Sequence, residues 1–168
     1  SSPFSLIAML LVATASSATG DIQLPNIFSN AMVLQRDQTN RVWGRGEAGE
    51  KVVVTIGDQT HQSVTGADGN WHVMLSPLSV GEPLTLTVKG TNTISFEDVL
   101  VGEVWICSGQ SNMAMSVNSS NDADLERAAA DFPQIRMINF PRVGTQEPVW
   151  THSRSSWMVC SPETVGQF

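Results

Sequence analysis

Val99-Leu100-Val101-Gly102-Glu103-Val104-Trp105-Ile106-Cys107 runs directly into Ser108-Gly109-Gln110-Ser111-Asn112-Met113, and the reading of this stretch decides the fold. A nearly continuous apolar run is expected of a strand covered on both faces, as strands inside a parallel sheet are. A turn containing glycine follows. Residues 122–132 then place Leu125, Ala128, Ala129 and Phe132 at helical spacing before Pro133 stops the pattern, and residues 135–140 read as a second buried strand. Strand, turn, helix and strand in that order predict a βαβ unit, and so an α/β domain with a parallel sheet that opens at residue 100.

Upstream, residues 21–99 follow a different rule. Val52, Val54 and Ile56 alternate, as do Trp71, Val73 and Leu75, and then Leu84, Leu86 and Val88. Period-two spacing puts each set on one face of a strand. Gly57-Asp58 and Asp68-Gly69 are expected to make tight hairpin turns. About six to eight short strands in this span predict an antiparallel β-sandwich.

Gly44-Arg45-Gly46-Glu47-Ala48-Gly49 has the glycine spacing of a dinucleotide fingerprint. It leads into the strand-like Lys51-Val52-Val53-Val54-Thr55-Ile56 rather than a helix, so a glycine-rich β-turn is expected and no cofactor. Trp43 and Trp71 can stack on sugar rings or fill the core, and the phase of Trp71 with Val73 and Leu75 favours the core. His61 and His72 lie on different strand-like runs without a nearby Cys and receive no role.

Composition excludes several classes. Nine Lys plus Arg against sixteen Asp plus Glu give a net charge of −7, with no basic stripe for phosphates, so no nucleic-acid partner is expected. With 41% hydrophobic and 15% charged residues the chain suits a packed domain rather than a disordered one. Cys107 and Cys160 can pair, but both end apolar strand-like runs, which favours free thiols. Residues 121–126 are acidic yet lack the glycine of a calcium loop, and no metal is expected. Asn118-Ser119-Ser120 is a glycosylation sequon of the kind that also arises by chance, and Arg142 and Arg154 are read as solvated surface charges able to meet an anionic sugar.

Residues 1–18 read as an incomplete secretory signal: residues 4–13 form an apolar core too short to span a bilayer, and Ser16-Ser17-Ala18 supplies small residues for cleavage after Ala18. The expectation is a secreted protein, extracellular or periplasmic, or lysosomal in a eukaryotic host, with no membrane attachment after cleavage. At the other end Trp157-Met158-Val159-Cys160 reads as a strand and Ser161-Pro162-Glu163 as a helix opening with no helix after it, so the sequence is expected to be a fragment of a longer chain.

The chemistry centres on Ser111. A serine after a buried strand and a glycine turn is placed to project its hydroxyl above a sheet edge while its backbone N–H faces the same space. The same serine can equally cap the next helix, and the GxSxG pattern of a nucleophile elbow fails because position 113 is Met. From the residues alone both readings stand.

The segment from Gly102 to Met113, with its Gly109-Gln110-Ser111-Asn112-Met113 block, resembles the nucleophile block of the sialate O-acetylesterase family, a branch of the SGNH (GDSL-like) hydrolases. Leu24-Pro25-Asn26-Ile27-Phe28-Ser29-Asn30-Ala31-Met32-Val33-Leu34-Gln35 resembles that family's N-terminal segment, and Trp157-Met158-Val159-Cys160-Ser161-Pro162-Glu163-Thr164 a later block. The resemblance implies a β-sandwich over residues 21–99 followed by the first part of a flavodoxin-like SGNH domain over residues 100–168. It implies hydrolysis of acetyl esters on sugars, sialate or plant polysaccharide, with Ser111 as nucleophile and oxyanion donor and Gly109, Gln110 and Asn112 supporting it; the competing expectation is a non-catalytic carbohydrate-binding protein built on the β-sandwich. The catalytic His and Asp of that family come from later blocks, so these 168 residues alone are expected to be close to inactive. His152 lacks the family's Asp-x-x-His setting and is not taken as the base.

Overall fold

A computed structural model describes residues 20–141, 143–152 and 155–168. The signal-like residues 1–18, Arg142 and Arg154 lie outside the described residues.

Among the described residues nine strands dominate: β1 (Val33–Gln35), β2 (Asn40–Arg45), β3 (Lys51–Ile56), β4 (Gln59–Val64), β5 (Asn70–Leu75), β6 (Leu84–Lys89), β7 (Thr93–Gly102), β8 (Phe132–Met137) and β9 (Met158–Cys160). Five of them form one curled sheet in the order β1-β7-β6-β3-β4, and β2 pairs with β5 in a second, antiparallel sheet. The expected alternation holds. Val52, Val54 and Ile56, with Leu86 and Val88, are 0–1% exposed, while Trp71, Val73 and Leu75 face them from the other sheet at 0–5%. Each such side chain contributes on the order of 2 kcal/mol by leaving water, so this single core holds the sheets together. The sheet is mixed rather than purely antiparallel, because β1 runs parallel to β7 with Val33 opposite Leu100 and Gln35 opposite Gly102.

The glycine reading holds at 44–49: β2 ends at Arg45, the Glu50 N–H donates to Glu47 O at 3.0 Å, and Gly49 takes φ 82° on the way into β3. Gly57 (φ 54°) turns β3 into β4 as expected. Asp68-Gly69 behaves differently. Gly69 is left-handed (φ 76°), but β4 and β5 are not laddered to each other; the turn carries the chain from one sheet to the other.

Four expectations downstream are corrected. The buried strand stops at Gly102, where β7 loses β1 as a neighbour. Beyond it Trp105 and Ile106 are 83% and 91% exposed, since no second ladder or covering layer meets them among the described residues. The helix α1 covers only Ala123–Ala129. It starts after a left-handed Asp122 (φ 55°) without a side-chain cap, and Leu125, Ala128 and Ala129 face solvent. Phe132 opens β8 instead of ending the helix, and β8 pairs antiparallel with β9 rather than parallel with β7, so no βαβ unit closes among the described residues. Pro133 is accommodated where the β8–β9 register slips between Phe132 and Arg136, since a residue without an N–H disturbs a ladder least at such an irregularity. The Ser161-Pro162-Glu163 opening becomes a tight turn, with Val165 N–H donating to Ser161 O, and then a short 3₁₀ turn at Val165–Gln167.

Candidate functional site

The strand β7 delivers the Ser111 loop. Val99 and Val101 anchor it in the core, and Gln35 at the end of β1 fixes its exit: the Gln35 amide donates to Glu103 Oε2 at 2.9 Å and accepts from the Val104 N–H at 2.8 Å. The Arg36 N–H donates to Gly102 O at 2.9 Å. The final residue of the N-terminal block thus aims the segment that carries the serine, a role its side chain shows only once β1 and β7 are seen side by side.

Ser111 opens a 3₁₀ turn, Ser111–Ala114, in which Met113 N–H donates to Gln110 O at 2.9 Å. The cap position belongs to Gln110, and no side chain caps the turn. The Ser111 hydroxyl and backbone N–H have no partner among the described residues, so the structure gives the serine no capping task. Gln110, Ser111, Asn112 and Met113 line an open depression of about 310 Å³. Gly109 is close to extended, and a Cβ there would lie 2.8 Å from Met113 Cγ; glycine lets the loop fold tightly over that side chain. An unencumbered hydroxyl beside a free N–H offers a nucleophile and an oxyanion donor from one residue, provided that a base is brought to it.

None of the three histidines contacts Ser111 among the described residues. His61 Nε2 sits 3.0 Å from Gln59 Oε1, and His72 is exposed on β5 opposite Trp43. His152 is held elsewhere. Its N–H donates to Asn26 Oδ1 at 3.0 Å and its ring packs edge-on against Phe140 with centroids 5.4 Å apart. Cys107 is exposed, Cys160 is buried, and the two are unpaired. No group of three or more His, Cys, Asp or Glu is placed to hold a metal among the described residues, and no helix among them is long and apolar enough to cross a membrane.

Sequence reasoning missed Asn26, although it lies in the quoted N-terminal block. Its amide accepts from the Thr151 hydroxyl and the His152 N–H and donates to the carbonyls of His152 and Ser155. Nearby, Trp157 Nε1 donates to Ile27 O at 2.8 Å. The block therefore docks the end of the chain against its beginning.

Comparison with known proteins finds no matching family model. The chain is 35% identical over 159 residues to the sialate O-acetylesterase of Rattus norvegicus and 31% identical over 155 residues to that of Homo sapiens, alignments covering 86% and 84% of this chain. It spans 29% of the length of each. A carbohydrate acetylesterase from Xanthomonas citri superposes with a TM-score of 0.84 at 30% identity, covering 88% of this chain and 34% of that one.

Proposed function

Over most of its length this chain is a homologue of the sialate O-acetylesterases, and from that premise we propose that it is the Ser111-bearing part of a carbohydrate O-acetylesterase. The observation that carries the proposal is the state of Ser111: exposed and uncapped, its hydroxyl and N–H without a partner among the described residues, in the loop that leaves the core-held strand at Gly102. The Ser111 Oγ attacks the acetyl carbonyl while a histidine takes its proton. The oxyanion accepts from the Ser111 N–H, the sugar hydroxyl leaves with the proton, and water then releases acetate from the acetyl-serine. Gly109 keeps the loop tight, and Gln110 and Asn112 line the same depression. With no histidine at Ser111, the base and its orienting Asp are assigned to polypeptide outside these 168 residues. The same reading takes residues 21–99 as a β-sandwich unit and residues 100–168 as the opening of an SGNH-type hydrolase unit, in a secreted protein. Acetylated sialic acid is the leading substrate, with acetylated xylan or pectin next.

The test is acetate release by the full-length protein from p-nitrophenyl acetate, 9-O-acetylated sialic acid and acetylated xylan. Ser111→Ala is expected to lower kcat by at least roughly 10⁴-fold. A folded full-length protein that releases no acetate from any of the three would overturn the reading.

A further inference from the structure

A second hollow, of about 500 Å³, opens between β4 and the β2–β5 pair and shares no residue with the Ser111 depression. Its origin is topological. β4 and β5 are joined at one end by the turn at 65–69 and tied at the other by Gln59, whose amide accepts from the Ser76 N–H at 2.9 Å and donates to Ser76 O at 3.2 Å. Between those ties no ladder pairs them, and a groove remains. One side is aromatic: Trp43 is half-buried, braced edge-on by Phe28 at 4.7 Å and 72°, and sits opposite His72 in the β2–β5 register. Arg41, two residues along the same face of β2, and Ser63 of β4 complete the sides. Arg41, Ser63 and His72 have no side-chain hydrogen-bond or ion-pair partner among the described residues. At the turn, Asn70 Nδ2 donates to Asp68 Oδ2 at 2.9 Å, and the Asn70 N–H donates to Asp68 Oδ1 at 3.1 Å, which fixes both side chains in place.

We propose that this groove is a saccharide-binding site that holds one sugar unit of a glycan chain, separate from the ester-cleaving centre. A pyranose presents an apolar C–H face and a rim of hydroxyls, and is matched by a fixed aromatic surface with polar side chains spaced around it. Trp43 supplies the first and Arg41, His72, Ser63 and Asn70 the second. A nucleic acid would need more cations than Arg41 provides, and an apolar peptide would need more exposed aromatic surface than Trp43 offers, since Trp71, which also lines the hollow, is 2% exposed. The choice of ligand rests on the carbohydrate reading above.

The experiment is calorimetric titration of the full-length protein, as wild type and as Ser111→Ala, with 3′-sialyllactose and with xylohexaose. Binding of at least one of them is expected, retained in Ser111→Ala and weakened roughly tenfold or more by Trp43→Ala. Because Trp43 also braces Phe28, the exposed Arg41→Ala and His72→Ala carry the test if Trp43→Ala does not fold, each weakening binding several-fold. No binding of either sugar overturns the proposal, as does binding that Arg41→Ala and His72→Ala leave unchanged or that Ser111→Ala abolishes. Failure of the esterase reading gives a different result: no acetate release with sugar binding intact.

Discussion

Arg136 grips Asp98 at two points, Nη1 to Oδ2 at 2.5 Å and Nη2 to Oδ1 at 3.1 Å, joining β8 to the irregular stretch of β7. The Arg136 side chain is 5% exposed and that of Asp98 42%. Asp98 sits where the β6–β7 register shifts, in a left-handed conformation (φ 56°) that costs a non-glycine residue about 1 kcal/mol or more, and the ion pair holds it there. The arm that follows Ser111 is thus pinned to the strand that precedes it.

Removing one partner is expected to be unequal in effect. Asp98→Ala leaves a buried guanidinium without its anion and should cost about 2–3 kcal/mol, whereas Arg136→Met leaves only a carboxylate that water already reaches and should cost about 1 kcal/mol less. Urea denaturation of both variants and of the double variant measures the asymmetry; equal losses would show that the guanidinium is not the costly member.

Gly44 gives a sharper packing test. A Cβ there would lie 2.3 Å from Trp71 Cζ2 and 2.4 Å from Gln23 O, and Trp71 is 2% exposed with its Nε1 donating to Arg45 O at 3.2 Å, so neither neighbour can yield cheaply. Gly44→Ala is expected to cost about 3 kcal/mol or more, while Gly81→Ala, whose Cβ meets nothing within 4 Å, should stay within about 0.5 kcal/mol. Comparable thermal midpoints for the two variants would contradict this packing.

What could be read from the sequence follows from which partners the chain itself supplies. Val52, Val54, Ile56, Trp71, Val73 and Leu75 bury one another, so their alternation is a complete signal and the strands form where the pattern puts them. Trp105, Ile106 and Leu125 carry equally strong apolar signals, yet the pattern cannot say what will cover them, and they stand 70–91% exposed. Position 111 stands out in the sequence because glycine and serine follow an apolar run, although the strand itself ends at Gly102. Whether that serine caps the turn is not legible in the sequence, since it depends on whether the hydroxyl is bonded, and among the described residues it is not. Asn26 and Gln35 act over sequence separations that no local period encodes.

Acid should loosen the turn at Glu50. Partial burial raises the pKa of this carboxyl and is the largest influence. Donors outweigh it together: the Thr91 N–H at 2.7 Å, the Thr91 hydroxyl at 2.9 Å and the Glu47 N–H at 3.1 Å bring it below its ordinary 4.5. A depressed folded-state pKa means that the contribution is complete above about 4.5 and fades as pH falls through the lower folded value. Wild type should therefore lose about 1 kcal/mol more stability than Glu50→Gln on going from pH 6 to pH 3. Parallel stability curves for the two proteins would remove Glu50 from the acid response.

Asn26 allows the docking of residues 151–155 to be tested atom by atom. Its Oδ1 accepts from the Thr151 hydroxyl at 2.5 Å and the His152 N–H at 3.0 Å, while its Nδ2 donates to Ser155 O at 2.7 Å and to His152 O. An amide offers two N–H donors and an oxygen that accepts twice, a set that no other side chain of this size provides. Asn26→Ala removes all of these bonds and is expected to cost about 2–3 kcal/mol, with faster amide exchange at 151–157 and little change in the β3–β6 core. Asn26→Asp is the informative variant. At neutral pH its carboxylate keeps the two accepted bonds but turns an oxygen toward the Ser155 and His152 carbonyls, so it should protect the segment no better than alanine. Protonation at low pH restores one donor and should slow exchange at 151–157 relative to Asn26→Ala. If Asn26→Asp matched wild type at neutral pH, the donated bonds would contribute nothing, and the docking would have to rest on Trp157, whose Nε1 donates to Ile27 O.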